Sequence, residues 1–128
     1  MVAANPDLDS VLALFNQANM QALLLLEEPL VGVYAKRIAE LATASHLPTM
    51  FAPSRVSAGG LLSYGTSQTQ SIRSMAAYID KILKGAKPGT LPVETVTRYE
   101  LTVNLKTAEE IGVTVPPAVL ARADQTIQ

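Results

Sequence analysis

Glu27 and Glu28 are adjacent, and paired carboxylates are the usual agents of general acid–base chemistry. Neighbours in an extended segment point to opposite faces, so these two do not share a proton or a substrate bond. They are predicted to be a solvated pair. His46 is the sole histidine and the chain has no cysteine. Zinc binding, thiol catalysis and a disulfide framework are therefore not expected. Gly59-Gly60 lacks the spacing of a dinucleotide or Walker loop, so a phosphate cradle is not expected either. The aspartates, Asp7, Asp9, Asp80 and Asp124, each fall in or beside a predicted helix, which leaves no phosphoacceptor at a strand end. The expectation is a protein that is not an enzyme and holds no metal or cofactor. What remains is binding chemistry. Ser63 offers a hydroxyl that donates or accepts, and Tyr64 offers a ring that stacks.

The elements that must position these groups read as α/β. Leu8, Val11, Leu12, Phe15 and Ala18 form one apolar helical face, with Asp7 or Asp9 as its cap. Ala22–Leu26 is a short apolar run, predicted as a strand buried on both faces. Val31, Ala35, Ile38, Leu41 and Ala42 mark a second helix that Pro48 terminates, and Thr49–Ala52 a second strand. Strand, helix and strand make a parallel βαβ unit.

Pro53–Gly60 reads as an irregular connection and Leu61–Tyr64 as a third strand. Ile72, Met75, Ala76, Ile79, Ile82 and Leu83 line the clearest helix, with Gly85 at its C-terminal stop and an Asp80–Lys84 pair one turn apart. The segment 86–93 is extended or turned. Arg98–Val103 alternates as a fourth strand, Asn104 caps a short helix ending at Gly112, and Pro116-Pro117 opens a last helix with Val119, Leu120, Ala123 and Ile127 inward. Two irregular connections thus bracket one strand–helix unit, which suggests that this unit belongs to a different lobe.

The totals narrow the class. A chain of 128 residues, 48% hydrophobic and 16% charged, has enough apolar material for an ordered core. The net charge of −1, without a basic run, argues against nucleic acid. The apolar runs are far shorter than the roughly 20 residues of a spanning helix, and the first residues do not read as a signal peptide. As written, the chain is expected in the cytoplasm.

Three stretches carry a family resemblance. GGLLSYG (59–65), AAYIDKILKGAKPGTLPVE (76–94) and YELTVNLKTAEEIGVTVPPAVLARADQTI (99–127) resemble the C-terminal part of bacterial ABC-transporter substrate-binding proteins, the group that includes tryptophan- and tyrosine-import proteins. ALLLLEEPL and RIAELATASHLP fit the same family. The resemblance implies a periplasmic-binding-protein-like (type I) fold: two α/β lobes, joined by hinge strands, with a solute between them. It assigns 1–53 and 98–128 to the C-terminal lobe with its parallel sheet, 61–92 to a returning strand–helix unit of the N-terminal lobe, and 54–60 and 93–97 to hinge crossings. It also implies permease subunits as partners and a periplasmic or extracytoplasmic, membrane-associated location for the full-length family. A complete member is more than twice this length, so the chain is expected to be a truncated form that binds solute weakly or not at all by itself. The runner-up is a stand-alone flavodoxin-like regulatory or protein-interaction domain.

In open α/β sheets ligands sit outside the carboxyl ends of parallel strands. The residues there are Glu27, Glu28 and Pro29; Pro53 and Ser54; and Ser63, Tyr64 and Gly65. In a two-lobe protein these ends face the cleft. Glu27 or Glu28 is a candidate for an α-amino group, while Arg55 and Arg73 flank the cleft as candidates for a carboxylate. The apolar face of the strand–helix unit is expected either to dock on the rest of the chain or to pair with a second copy.

Overall fold

The structure is a computed structural model that describes residues 7–128. The side chains of Asp9, Leu12, Asn16 and Val56 lie outside the description. So do the Asp9 cap, the Leu12 contribution to the first helical face, and residues 1–6 of the predicted C-terminal lobe.

Helix α1 (Leu8–Gln17) leads to β1 (Leu23–Leu24), α2 (Pro29–Ala44) and β2 (Thr49–Phe51). A 3-10 helix, Pro53–Ala58, then precedes β3 (Leu62–Thr66) and α3 (Gln68–Leu83). The chain returns through β4 (Tyr99–Asn104), α4 (Leu105–Glu110), α5 (Pro117–Leu120) and β5 (Gln125–Ile127). The five strands form one sheet in sequence order. β1, β2 and β3 run parallel, β4 is antiparallel to β3, and β5 is parallel to β4. The predicted βαβ unit is present as β1–α2–β2.

Local signals place the helices. Pro29 sits in the first turn of α2, where a missing N–H costs nothing. His46 takes the left-handed conformation (φ 52°) just beyond its end, and Leu47 N–H donates to Ala42 O at 2.8 Å. Ser67 caps α3 through its hydroxyl, which accepts from Gln70 N–H, and Asn104 caps α4 by accepting from Thr107 N–H at 3.1 Å. Gly59 (φ 99°) ends the 3-10 helix in a conformation that a side chain disfavours.

The core gathers where α2 covers the sheet. Ala35, Ala39 and Phe51 are buried together, with Leu25, Ile38 and Ala58 against them. Phe15 of α1 and Leu23 of β1 pack on Ala42 and Leu47. On the other side Leu61 packs with Ala108 and Ile111 around α4.

Three expectations differ from the structure. The last helix stops at Leu120, and Ile127 lies in a strand. Asp124 explains the change. Its carboxylate accepts from Leu101 N–H at 2.8 Å and its own N–H donates to Leu101 O at 2.9 Å, which seats residues 125–127 on β4. Tertiary pairing thus overrides a helical apolar spacing. The first strand is not buried on both faces. Leu24 in β1 and Leu26 just beyond it are 64% and 67% exposed, because α1 and α2 pack on the alternate residues Leu23 and Leu25 and no described core cluster includes the opposite face of β1. Finally, the strand that opens the bracketed unit is the middle strand of the sheet. Leu62 pairs with Met50 on one side and Val103 on the other. The helix of that unit behaves differently: α3 buries none of its residues, and Ile72, Met75, Ile79 and Leu83 are all exposed.

Candidate functional site

The carboxyl ends of β1 and β2 meet because the parallel βαβ unit sets them side by side. Leu25 N–H donates to Met50 O at 2.9 Å, so the segments beyond each strand leave the sheet together. There the Ser54 hydroxyl donates to Glu27 Oε1 at 2.6 Å. Two of the predicted site residues, 27 positions apart in the chain, are therefore one hydrogen-bonded unit on an exposed surface. Glu28 is the residue before α2, exposed and extended (φ −120°), and its side chain caps no backbone group. Its carboxylate is left for solvent or a ligand, beside the partial positive charge of the helix start. Pro29 is the exposed first residue of α2.

Pro53 and Gly65 are also brought together. A Cβ on Gly65 would stand 2.7 Å from Pro53 Cδ, closer than carbon atoms approach, so only glycine lets β3 run this near the 3-10 helix. Ser63, by contrast, is only 3% exposed. It lines a crevice with Phe51, Arg55, Gly60, Thr102 and Asn104 that leaves no room for a water molecule. Tyr64, its neighbour on the opposite face of β3, stacks on Tyr99 with ring centroids 5.7 Å apart. The predicted residues thus divide three ways: Glu27, Glu28, Pro29, Pro53, Ser54 and Gly65 at the strand ends, Ser63 inside, and Tyr64 in an aromatic pair.

Sequence reasoning missed Gly32 and Tyr99. Gly32 carries a readable signal, because glycine within a helix is costly and implies a packing reason. That reason is Arg55, whose guanidinium occupies the space a Gly32 Cβ would fill. Tyr99 stands out only once the β3–β4 register pairs it with Thr66, one diagonal from Tyr64. Arg73 is exposed on α3.

Two roomy cavities lie away from this surface. One of about 490 Å³ sits beyond the amino end of β3, lined by Thr43, Gly59, Lys106 and Thr107. The other, about 500 Å³, lies between α3 and residues 94–96. Among the described residues no group of three His, Cys, Asp or Glu is placed to hold a metal, and no helix is long and apolar enough to cross a membrane.

The sequence matches the family model described as ABC transporter substrate binding protein over residues 1–127. The chain belongs to this family. No curated protein sequence matches it. Among solved structures, this substrate-binding-protein chain is similar to a conserved domain protein of Vibrio cholerae O1 biovar El Tor, at 30% identity and a TM-score of 0.81 over 94% of this chain and 40% of that one. It is also similar to an ABC domain from Streptococcus pneumoniae in complex with L-Trp, at 26% identity and a TM-score of 0.76 over 97% of this chain and 44% of that one. A ligand-free, open substrate-binding protein with adhesive properties from Clostridium difficile shares the fold at 17% identity and a TM-score of 0.64, over 97% of this chain and 42% of that one. The chain therefore spans about two fifths of the length of these relatives. Its fold is the periplasmic-binding-protein-like α/β fold, with a mainly parallel sheet. The family binds substrates rather than converting them, and is extracellular or periplasmic.

Proposed function

We propose that this chain is the second lobe of a two-lobe solute-binding component of an ABC importer, which holds a small amino-acid-like, aromatic solute between the lobes. The observation that carries the reading is the open strand-end surface. Glu27 and Ser54 are hydrogen-bonded at the strand ends, Glu28 follows beside them, and both glutamates are exposed among the described residues. Such a surface is half of a cleft. The bare apolar face of α3 supports the same reading, because it lacks a neighbouring layer. In this arrangement residues 7–53 and 98–128 are the body of the second lobe, α3 belongs with the first lobe, and β3 and β4 carry the chain between them. The L-Trp complex of the pneumococcal relative supports an aromatic amino acid as the solute.

The solute holds the lobes closed by touching both, since a ligand shifts an equilibrium only through its differential affinity for the two states. The closed form is then the one presented to the permease subunits. Calorimetry tests the reading. The complete protein should bind L-tryptophan or L-tyrosine, and this chain by itself should bind weakly or not at all. Tight binding to the isolated chain as a monomer, or failure of the complete protein to bind any amino acid, overturns it.

A further inference from the structure

The groove beyond the amino end of β3 is walled by two helices and floored by the turn at Gly59. Glu40 and Thr43 of α2 line one side, and Lys106 and Glu110 of α4 the other, around about 490 Å³ of open space. Small-ligand pockets span roughly 300–1,000 Å³. The floor is fixed in advance, because the Thr107 hydroxyl donates to Gly59 O at 2.8 Å. Asn104 lines the same space and is only 8% exposed. Its Oδ1 accepts from Thr107 N–H at 3.1 Å, while its Nδ2 donates to no described group. Among the described residues no fully buried polar side-chain atom lacks a partner, so this amide nitrogen is not sealed in. Asn104 also lines the crevice beside Ser63, but that crevice has no room for a water molecule. The uncommitted N–H groups therefore open onto the groove.

The walls carry two carboxylates against one ammonium. Glu40, Lys106 and Glu110 make no ion pair with any described residue. Lys106 and Glu110 stand one turn apart, but lysine before glutamate is the weaker order of such a pair. An occupant must bring an oxygen for Asn104 and a positive charge for the glutamates. An anion meets the carboxylates. A bare metal ion meets an amide N–H and, among the described residues, no group of three ligating side chains. A basic residue within a polypeptide supplies both parts, since its main-chain carbonyl accepts and its side chain carries the charge. We propose that the groove between α2 and α4 is a docking site for an exposed arginine- or lysine-bearing segment of a partner protein. Asn104 donates to a main-chain carbonyl of that segment, and Glu40 and Glu110 flank its cation. The complementarity of charge sets which partner is accepted. The groove lies at the opposite end of the parallel strands from Glu27 and Ser54, so the proposal stands independently of the solute-binding reading.

The test titrates this chain with acetyl-Gly-Arg-Gly-amide, acetyl-Gln-containing and acetyl-Glu-containing counterparts, and methylguanidinium, each up to millimolar concentration and read by amide shifts in NMR. The arginine peptide should move the signals of Thr43, Gly59 and Lys106 and bind at least about tenfold more tightly than the glutamate peptide. Methylguanidinium, a cation without a carbonyl, should bind severalfold more weakly than the arginine peptide. Glu40→Gln combined with Glu110→Gln should remove the preference for arginine over glutamine and leave the fold intact, since both glutamates are exposed. Asn104→Ser keeps a capping oxygen but removes the amide N–H groups. It should weaken the arginine and glutamine peptides by the same factor. The double glutamine variant keeps the proposal testable if Asn104→Ser fails to fold. Equal affinity for the arginine and glutamate peptides overturns the proposal, as does methylguanidinium binding as tightly as the arginine peptide. So do an unchanged preference in the double variant, shifts centred on Glu27 and Ser54, and no shift with any peptide.

Discussion

Tyr64 and Tyr99 lie face to face across β3 and β4, with ring centroids 5.7 Å apart and planes 19° from parallel. The strand register makes them diagonal neighbours on one face, since Tyr64 pairs with Leu101 and Tyr99 with Thr66. Both rings are about half exposed. The stack therefore ties together the ends of two strands at the point where the chain departs for α3 and returns. Aromatic pairs of this kind contribute about 0.5–1.5 kcal/mol beyond their buried area. A double-mutant cycle with Tyr64→Ala and Tyr99→Ala, followed by urea unfolding, should show a coupling in that range. Additive losses would mean that the rings stabilise independently.

Helix and cap signals were legible because they are local. Asn104 as a cap, the Asp80–Lys84 pair at 2.8 Å and the stop at Gly85 all depend on residues within one or two turns. What the sequence could not supply was partnership across the sheet. Ser63 and Tyr64 alternate as expected of a strand, but which of them is covered depends on where the 3-10 helix Pro53–Ala58 lies. The same holds for Ile127. Its spacing from Ala123 suits a helix, and only the Asp124–Leu101 hydrogen bonds show that it is a strand residue. The Glu27–Ser54 contact was half legible: the strand-end rule named both residues, and the parallel pairing of β1 with β2 joined them.

Gly60 is a packing constraint on the core. A Cβ there would stand 2.4 Å from Phe51 Cδ2 and 2.8 Å from Thr49 Oγ1. Phe51 is 2% exposed and cannot move aside into solvent. Gly60→Ala should therefore cost about 1–3 kcal/mol through overpacking. Denaturant unfolding will show this as a lower midpoint with an unchanged slope.

Helix α3 should open more easily than the strands on either side. It buries no residue, whereas Val103 and Ser63 are almost fully enclosed. Local opening free energy follows buried contact. In hydrogen exchange the α3 amides of this chain should lose protection well before those of β3 and β4. Equal protection would show that α3 is held by contacts of its own.

Association with a second copy is the alternative fate of the α3 face in the isolated chain. Ile72, Met75, Ile79 and Ile82 follow the three–four spacing that suits helix pairing. If this face joins two copies, sedimentation will show a concentration-dependent dimer that Ile79→Glu abolishes. Because Ile79 is exposed, the same change should alter monomer stability by no more than about 0.5 kcal/mol. A wild-type chain that stays monomeric throughout excludes the pairing.

The chain enters α3 along one strand and comes back along that strand's antiparallel neighbour. Gly65 belongs to the outgoing strand and touches Pro53, the residue next to Ser54. The spacing between the outgoing strand and the 3-10 helix is thus set by one missing methyl group at residue 65.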